Sequence, residues 1–268
     1  MQIAKVNDQE YLAKQYKNAS RLNARIRLHQ QFSVNKYGWH RWVFDQFSLP
    51  PICRILELGC GPGYLWLENL DRIPAGWEII LSDFSAGMLE ETRRNLGEHR
   101  HFQFEVVDAQ SIPFESEYFD AVIANHMLYH VPDKPATFSE IRRVLKPRGH
   151  FYASTIGERH LSEMADLLSK FDIELASWRN LADSFTLENG MAQLSRWFTD
   201  IKLYRYEDAL EVTEVAPLVD YILSGRVDIP GKRRGQFREF VAREMESLGG
   251  VFLVTKDSGM FVSIREGA

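Results

Sequence analysis

Cysteine is scarce in this chain. Its 268 residues contain two, Cys53 and Cys60, whose spacing matches no metal site, so no metal is expected and a reducing cytosol suits both thiols. Long apolar runs are absent as well: nothing approaches the roughly 20 residues of a membrane span. The opening stretch, Met-Gln-Ile-Ala-Lys-Val-Asn-Asp, has neither the basic nor the apolar region of a secretory signal, which makes a cytoplasmic protein with no membrane contact the expectation. Basic residues are not in excess. With 32 Lys and Arg against 37 Asp and Glu the net charge is -5, which argues against a protein built for the nucleic-acid backbone. No internal repeat or low-complexity stretch occurs. What remains is an ordinary globular composition, 45% hydrophobic and 26% charged, of a length for one large domain or a domain with a cap.

The chain is organised around Arg54-Ile-Leu-Glu-Leu-Gly59-Cys-Gly61-Pro-Gly63-Tyr-Leu65. Ile55 to Leu58 has the apolar character of a strand buried on both faces. Three glycines at alternate positions follow, then a helix-like segment from Tyr64 to Leu70. Glycines at such a turn let the main chain fold tightly and let a ligand approach without meeting a Cβ. A following helix start offers free N–H groups to an anionic or polar ligand. The dinucleotide fingerprint G-x-G-x-x-G is not met, because Tyr64 and Trp66 stand where its last glycine belongs. An NAD(P)-dependent oxidoreductase, the rival enzyme class, is disfavoured on that ground.

From Glu78 onward strands and helices alternate. Ile79-Ile80-Leu81 ends at Asp83; Ser85 is placed to cap a helix over Ala86–Leu96 that Gly97 closes. Phe102–Val107 ends at Asp108, Phe119–Ala124 runs into Asn125 and His126, Lys134–Leu145 reads as a helix, and His150–Ile156 as a further strand. This order implies an α/β fold with a doubly wound parallel sheet and a ligand at the carboxyl ends of its strands.

The pattern Glu57-x-Gly59-x-Gly61-x-Gly63 resembles motif I of the class I S-adenosylmethionine (SAM)-dependent methyltransferases, and the resemblance extends over residues 54–156. It implies a mostly parallel, seven-stranded, Rossmann-like sheet with SAM as cofactor and S-adenosylhomocysteine as product. Carried onto this chain, it assigns the cofactor seat to Gly59, Cys60, Gly61 and Gly63, with Glu57 beneath the loop, near the cofactor's amino group. Asp83 takes the place of the acidic residue that binds both ribose hydroxyls. Phe84 and Met88 lie where apolar side chains pack on adenine. Asp108-Ala109-Gln110 matches the cap on the adenine amino group. Asn125 and His126 fall beside the methionine part and the sulfonium, and Val144-Leu-Lys-Pro-Arg-Gly149 matches the turn before the fifth strand. Tyr16 and Arg21 are candidates to reach the cofactor carboxylate.

His126 and His130 are the candidate catalytic residues, since imidazole titrates near neutrality; the resemblance equally implies a structural role for His130, packed at the mouth of the cofactor pocket. Their spacing of four would suit a metal on a helix, but the stretch follows a strand and runs into Val131-Pro132, where helix is disfavoured.

Residues 1–50 carry a helical stripe, Leu12, Tyr16, Ala19, Leu22 and Ile26, then an aromatic group, Tyr37, Trp39, Trp42, Phe44 and Phe47. They read either as helices covering one sheet edge or as a helical lid over cofactor and acceptor, on a methyltransferase domain of residues 51–268. Beyond Ile156 the spacing predicts a sheet-covering helix over Leu161–Trp178 and a strand over Ile201–Tyr206. A helical insertion of about 207–250, with helices Val215–Leu223 and Gln236–Leu248, then precedes a last strand pair, Val251–Thr255 and Met260–Ile264. Lys232-Arg233-Arg234 reads as a solvated helix start.

The expected activity is methyl transfer to a small-molecule N, O or C acceptor. Nucleic-acid and protein acceptors are the alternatives; Asn125-His-Met-Leu lacks the Asn/Asp-Pro-Pro-Tyr/Phe of adenine amino-methylation. A protein that binds SAM without turnover is the alternative outside enzymes. Acceptor identity and oligomeric state have no sequence signal.

Overall fold

The computed structural model describes residues 20–173, 185–224 and 229–267. Strand β1, Ile52–Leu58, lies at the centre of the sheet because its side chains are apolar on both faces: Ile55, Leu56 and Leu58 are all buried. On one side it pairs with β2, Gly76–Asp83, which pairs with β3, Phe102–Val106. On the other it pairs with β4, Phe119–Asn125, then β5, Leu145–Ile156, β7, Phe252–Ile264, and β6, Thr199–Val212, at the far edge. The order is β3-β2-β1-β4-β5-β7-β6, and β7 alone runs against its neighbours. The expected seven-stranded, mostly parallel sheet is what the chain forms.

Nine helices of the described residues flank it. Helices α1 (Ser20–Phe32), α2 (Trp39–Asp45) and α3 (Tyr64–Leu67) precede α4 (Ala86–Leu96) and α5 (Lys134–Val144). Helices α6 (Ser162–Phe171), α7 (Gly190–Leu194), α8 (Val215–Ser224) and α9 (Gly231–Ser247) follow. Local chemistry sets the ends of α4 and α5. The Ser85 hydroxyl accepts from the Met88 N–H and Gly97, at φ 65°, ends α4. The Asp133 carboxylate accepts from the Ala136 N–H at 2.9 Å, and Pro135 sits in the first turn of α5, where a missing N–H loses nothing.

Two cores lie on the two faces of the sheet. Leu56, Leu58, Val122, Ala124, Phe151 and Ala153 pack on Phe138, Ile141 and Val144 of α5. Ile55, Ile79, Leu81, Ile123 and Tyr152 pack on Val43, Phe44, Trp66 and Trp77. A third core stands apart, at the projecting end of the β6–β7 hairpin. Leu28 and Phe32 of α1, Met164, Leu167 and Leu168 of α6, Leu218 and Ile222 of α8, and Phe237 and Val241 of α9 enclose Leu210, Val212, Phe252 and Val254 there. Strand β5 pairs only with Ser258–Ile264 of β7, whereas β6 pairs with β7 back to Phe252, so the hairpin extends beyond the sheet's carboxyl edge.

Several expectations change. The strand expected over Ile201–Tyr206 runs from Thr199 to Val212, paired with β7 throughout its second half, so the helices expected from about 207 begin only after Val212. Val251–Thr255 and Met260–Ile264 are not a strand pair but one continuous strand. Asp257-Ser258-Gly259 has the composition of a turn, yet Asp257 pairs with Arg205 at 2.6 Å, and a Cβ on Gly259 would stand 2.5 Å from the Tyr204 carbonyl oxygen. Glycine is there for a close strand approach. The helix expected over Leu161–Trp178 is described as Ser162–Phe171, and residues 174–178 lie outside the described residues. It packs on the projecting hairpin with the inserted helices rather than on a face of the central sheet, because its apolar stripe joins the third core. Of the stretch expected as a helical lid, residues 1–19 lie outside the described residues; α1 belongs to the third core, while α2 lies on the sheet. The basic run opens α9, where Arg233 pairs with Asp172 at 2.7 Å and Arg234 Nε donates to the Ile229 carbonyl.

Candidate active site at the carboxyl edge of the sheet

Because β1 to β4 are parallel, their carboxyl ends meet along one edge, and the sequence-predicted residues collect there. The turn after β1 needs its glycines. Gly59, Gly61 and Gly63 have φ of 68°, 54° and 78°, and an added Cβ would come within 2.9 Å of Met127 Cβ at Gly59 and 2.6 Å of Thr92 Cγ2 at Gly63. The helix behind the turn is one turn long, Tyr64–Leu67, followed by a 3-10 turn at Leu70–Arg72 rather than running on to Leu70. Backbone bonds fix the loop: Cys60 N–H donates to the Ser82 carbonyl at 2.8 Å and Gly63 N–H to the Cys60 carbonyl at 3.1 Å. The Cys60 thiol lies in the core beside Thr92, and burial pushes its pKa well up. Cys60 therefore shapes the turn through its main chain.

Asp83 ends β2 and ties two elements together. Its carboxylate accepts from Gly61 N–H at 3.0 Å and from Ser85 N–H at 2.8 Å. Burial raises its pKa in spite of these bonds, which favour the charged form. Each carboxylate oxygen keeps a further lone pair. Next to it Phe84 is 60% exposed, as is much of Val106, whereas Met88 is buried in α4. Phe84 is the larger apolar surface on offer. Asp108 accepts from the Gln110 N–H at 2.9 Å and from the Gln110 side-chain amide; Gln110 in turn accepts from the Asp133 N–H. Ala109 is buried beneath them.

Beneath the glycine turn Glu57 is fully buried and accepts from Trp66 Nε1–H at 2.6 Å. Burial pushes its pKa up to about 8, with the Trp66 donor opposing and Asp83 adding. At the end of β4, the Ser154 hydroxyl donates to the Asn125 side-chain carbonyl and accepts from the His126 N–H at 3.0 Å. His126 has φ 54°, which turns the chain off the strand, and its ring lies 4.7 Å from that of Trp39. Desolvation first, then coulombic opposition from His40, Lys256 and His130, holds its pKa down to about 3. His130 ends the 3-10 turn Leu128–His130 with its ring against Tyr129. Tyr16 lies outside the described residues, as does the side chain of Arg21, whose backbone belongs to α1.

Sequence reasoning missed the far side of the site. Asn125 pairs with Ser154, which pairs with Met260 and so with Tyr204; Tyr206 stands two positions further toward the carboxyl edge. There Tyr206 meets Trp39 and Trp42, each at 5.3 Å between ring centroids. Behind Tyr206 a buried Lys256–Asp208 ion pair also holds the Ser33 hydroxyl and the Asn35 N–H, fixing the connection between α1 and α2. The Lys256 Nζ lies 5.5 Å from the Tyr206 ring centre. His40 bonds Glu68 at 2.9 Å at the rim. The aromatic group of residues 37–47 signalled part of this; nothing local signals Asp208 or Lys256.

Sheet order, glycine turn and acidic strand ends define a class I methyltransferase fold. Residues 56–153 match the family described as a methyltransferase domain, so the chain carries a methyltransferase domain of the class I, SAM-dependent kind. It is similar to the biotin biosynthesis bifunctional protein of Saccharophagus degradans, 33% identical over 167 residues, which are 61% of this chain and 28% of that protein. It is 27% identical over 190 residues to a ubiquinone/menaquinone biosynthesis C-methyltransferase of Coxiella burnetii, 64% of this chain and 75% of that one. The chain spans about a quarter to a half of the length of several curated relatives that it matches. Among solved structures, the [4+2]-cyclase SpnF superposes with a TM-score of 0.61 over 100% of this chain and 99% of the other at 16% identity, a likeness of fold. No helix of the described residues is long and apolar enough to cross a membrane.

Proposed function

We propose that this chain is a SAM-dependent methyltransferase that acts in the cytoplasm on a small-molecule N, O or C acceptor. One observation carries the reading: the ends of β1, β2, β3 and β4 bring Gly59–Gly63, Asp83, Asp108 and Asn125 to one edge, with Asp83 already bonded to the glycine turn. Asp83 accepts from the two ribose hydroxyls. Phe84 covers the adenine face with Met88 behind it, and Asp108 with the Ala109 and Gln110 amides meets the adenine edge. Glu57 lies toward the cofactor's amino group, and Asn125 and His126 flank its methionine part; Tyr16 and Arg21 are the candidates for its carboxylate.

The bound cofactor supplies a methyl group made electrophilic by the sulfonium. This chain's residues supply alignment: acceptor atom, methyl carbon and sulfur held in line, with water excluded by Trp39, Trp42 and Tyr206. His126, held neutral at about 3, is a weak proton acceptor and serves as a packed, uncharged wall. His130 is then the remaining candidate base for an acceptor that must lose a proton.

The deciding experiment is calorimetric titration with SAM, S-adenosylhomocysteine and NADH. Binding of both sulfur nucleotides and not of NADH is expected; NADH binding alone, or none at all, would remove the reading. Because the same fold serves a [4+2]-cyclase, transfer of a labelled methyl group is measured separately from binding.

A further inference from the structure

Ser154 is sealed in the sheet at 0% exposure, directly opposite Asn125 in the pairing of β5 with β4. Its carbonyl and its hydroxyl are both engaged. The His126 N–H donates to the Ser154 carbonyl at 3.3 Å and to its Oγ at 3.0 Å, and these bonds hold the left-handed turn, φ 54°, that takes the chain off β4. Having accepted from His126, the hydroxyl still has a proton to place, and the acceptor it meets among the described residues is Asn125 Oδ1. This fixes the sense of the Asn125 amide. With the NH2 inward, Asn125 and His126 would both donate to Oγ, and the buried hydroxyl proton would be stranded. The Asn125 NH2 is thereby turned away from Ser154. It bonds to nothing among the described residues, and it is not sealed from solvent.

Its place in the sheet defines what this donor meets. Strand β4 pairs with β1 as Ala124 with Leu58, so Asn125 stands level with Gly59 at the start of the glycine turn, two positions past Glu57. The methionine part of the cofactor ends in one ammonium and one carboxylate. On β1 the Glu57 carboxyl is the group suited to the ammonium. On β4 two N–H groups suit the carboxylate and have the wrong polarity for an ammonium or a sulfonium. A carboxylate accepts about four bonds, which leaves room for the candidates Tyr16 and Arg21.

We infer that Ser154 is a positioning residue of the cofactor site: its hydroxyl fixes the Asn125 amide with the NH2 outward, and that NH2 donates to the carboxylate of the cofactor's methionine part. The inference rests on the methyltransferase reading and goes further, to a residue on β5 that decides which polarity the end of β4 presents.

The test titrates the full-length protein by calorimetry with S-adenosylhomocysteine and with its decarboxylated counterpart, which keeps the nucleoside, thioether and ammonium. The wild type should prefer S-adenosylhomocysteine by at least about tenfold. Ser154→Ala frees the amide to turn, and should weaken S-adenosylhomocysteine about threefold to tenfold while leaving the counterpart unchanged. In Asn125→Ala, which has no amide left to hold, adding Ser154→Ala should change the preference no further. Equal wild-type affinities, no loss in Ser154→Ala, or a further loss of preference in the double variant overturns the assignment. So does a parallel loss of both ligands, which is what a purely structural serine would give. Asn125→Asp keeps an acceptor for Ser154 but turns a carboxylate oxygen outward, and should weaken S-adenosylhomocysteine alone, by more than about tenfold. Thermal unfolding checks each variant, and should Ser154→Ala not fold, Asn125→Asp decides: an equal effect on both ligands overturns the assignment. Failure of the wild type to bind either ligand sinks the underlying reading instead, and is seen before any variant is made.

Discussion

The Glu57 carboxylate and the Trp66 indole N–H meet at 2.6 Å beneath the glycine turn, nine residues apart in the chain. One donor does not offset full burial, and the Glu57 pKa stands at about 8 rather than 4.5. Between those values the folded protein keeps a proton that the unfolded chain releases, so stability falls as pH rises from about 4.5 through 8. Thermal unfolding across that window should show a declining Tm in the wild type. Glu57→Gln, which cannot titrate, should flatten the decline; an identical slope would show that another group governs it.

The same carboxyl reports on the cofactor. If the cofactor's ammonium lies beside Glu57, an opposite charge lowers the raised pKa, and binding near pH 7 expels a proton. Calorimetry in two buffers of different ionisation enthalpy should give apparent binding enthalpies that differ by the proton released. Equal enthalpies would place the ammonium elsewhere. The expelled proton should also disappear in Glu57→Gln.

Asp83→Ala removes the proposed ribose acceptor together with the link to Gly61 and Ser85. SAM affinity should fall by about 1–3 kcal/mol, roughly fivefold to 150-fold. Unchanged affinity would remove the ribose from this position. Adenine alone, which carries no diol, should lose less than the whole cofactor.

Gly63→Ala meets two obstacles: φ of 78°, and a Cβ at 2.6 Å from Thr92 Cγ2. A loss of about 1–3 kcal/mol in unfolding free energy is expected. Thr92→Ser in the same chain removes the methyl group and should restore part of it. Restoring all of it would mean that the dihedral adds no strain. Denaturant unfolding of the two variants separates the contributions.

The glycine-turn side of the candidate site was legible because its signals are local. Apolar runs ending at Asp83, Asp108 and Asn125, a serine before α4 and a glycine after it are each readable within a dozen residues. The side built on Trp39, Trp42 and Tyr206 was not. Ser33, Asp208 and Lys256 meet across separations of 175 and 48 residues, and Tyr206 meets Trp39 from the far edge strand, which the chain reaches only after β5. The sequence of β7 reads as two strands because Asp257-Ser258-Gly259 has a turn's composition; the close approach of Tyr204 that demands Gly259 is a property of the partner strand. Glu57 was placed beneath the loop by resemblance, but its bond to Trp66 depends on how the short helix after the turn is aimed.

The third core draws on four separated helices and both arms of the last hairpin, and Phe252 and Val254 complete it near the end of the chain. Strands β1 to β5 pair with one another without any of those residues. As the chain is synthesised, the glycine-turn edge can therefore order while the contact of Trp39 and Trp42 with Tyr206 is still unmade, and that contact is completed when β7 is inserted between β5 and β6. Pulse-labelled hydrogen exchange during refolding would show β1 and β4 protected before α8 and α9. The order of appearance along the chain, glycine turn first and aromatic wall last, is thus set by where the reversed strand was placed.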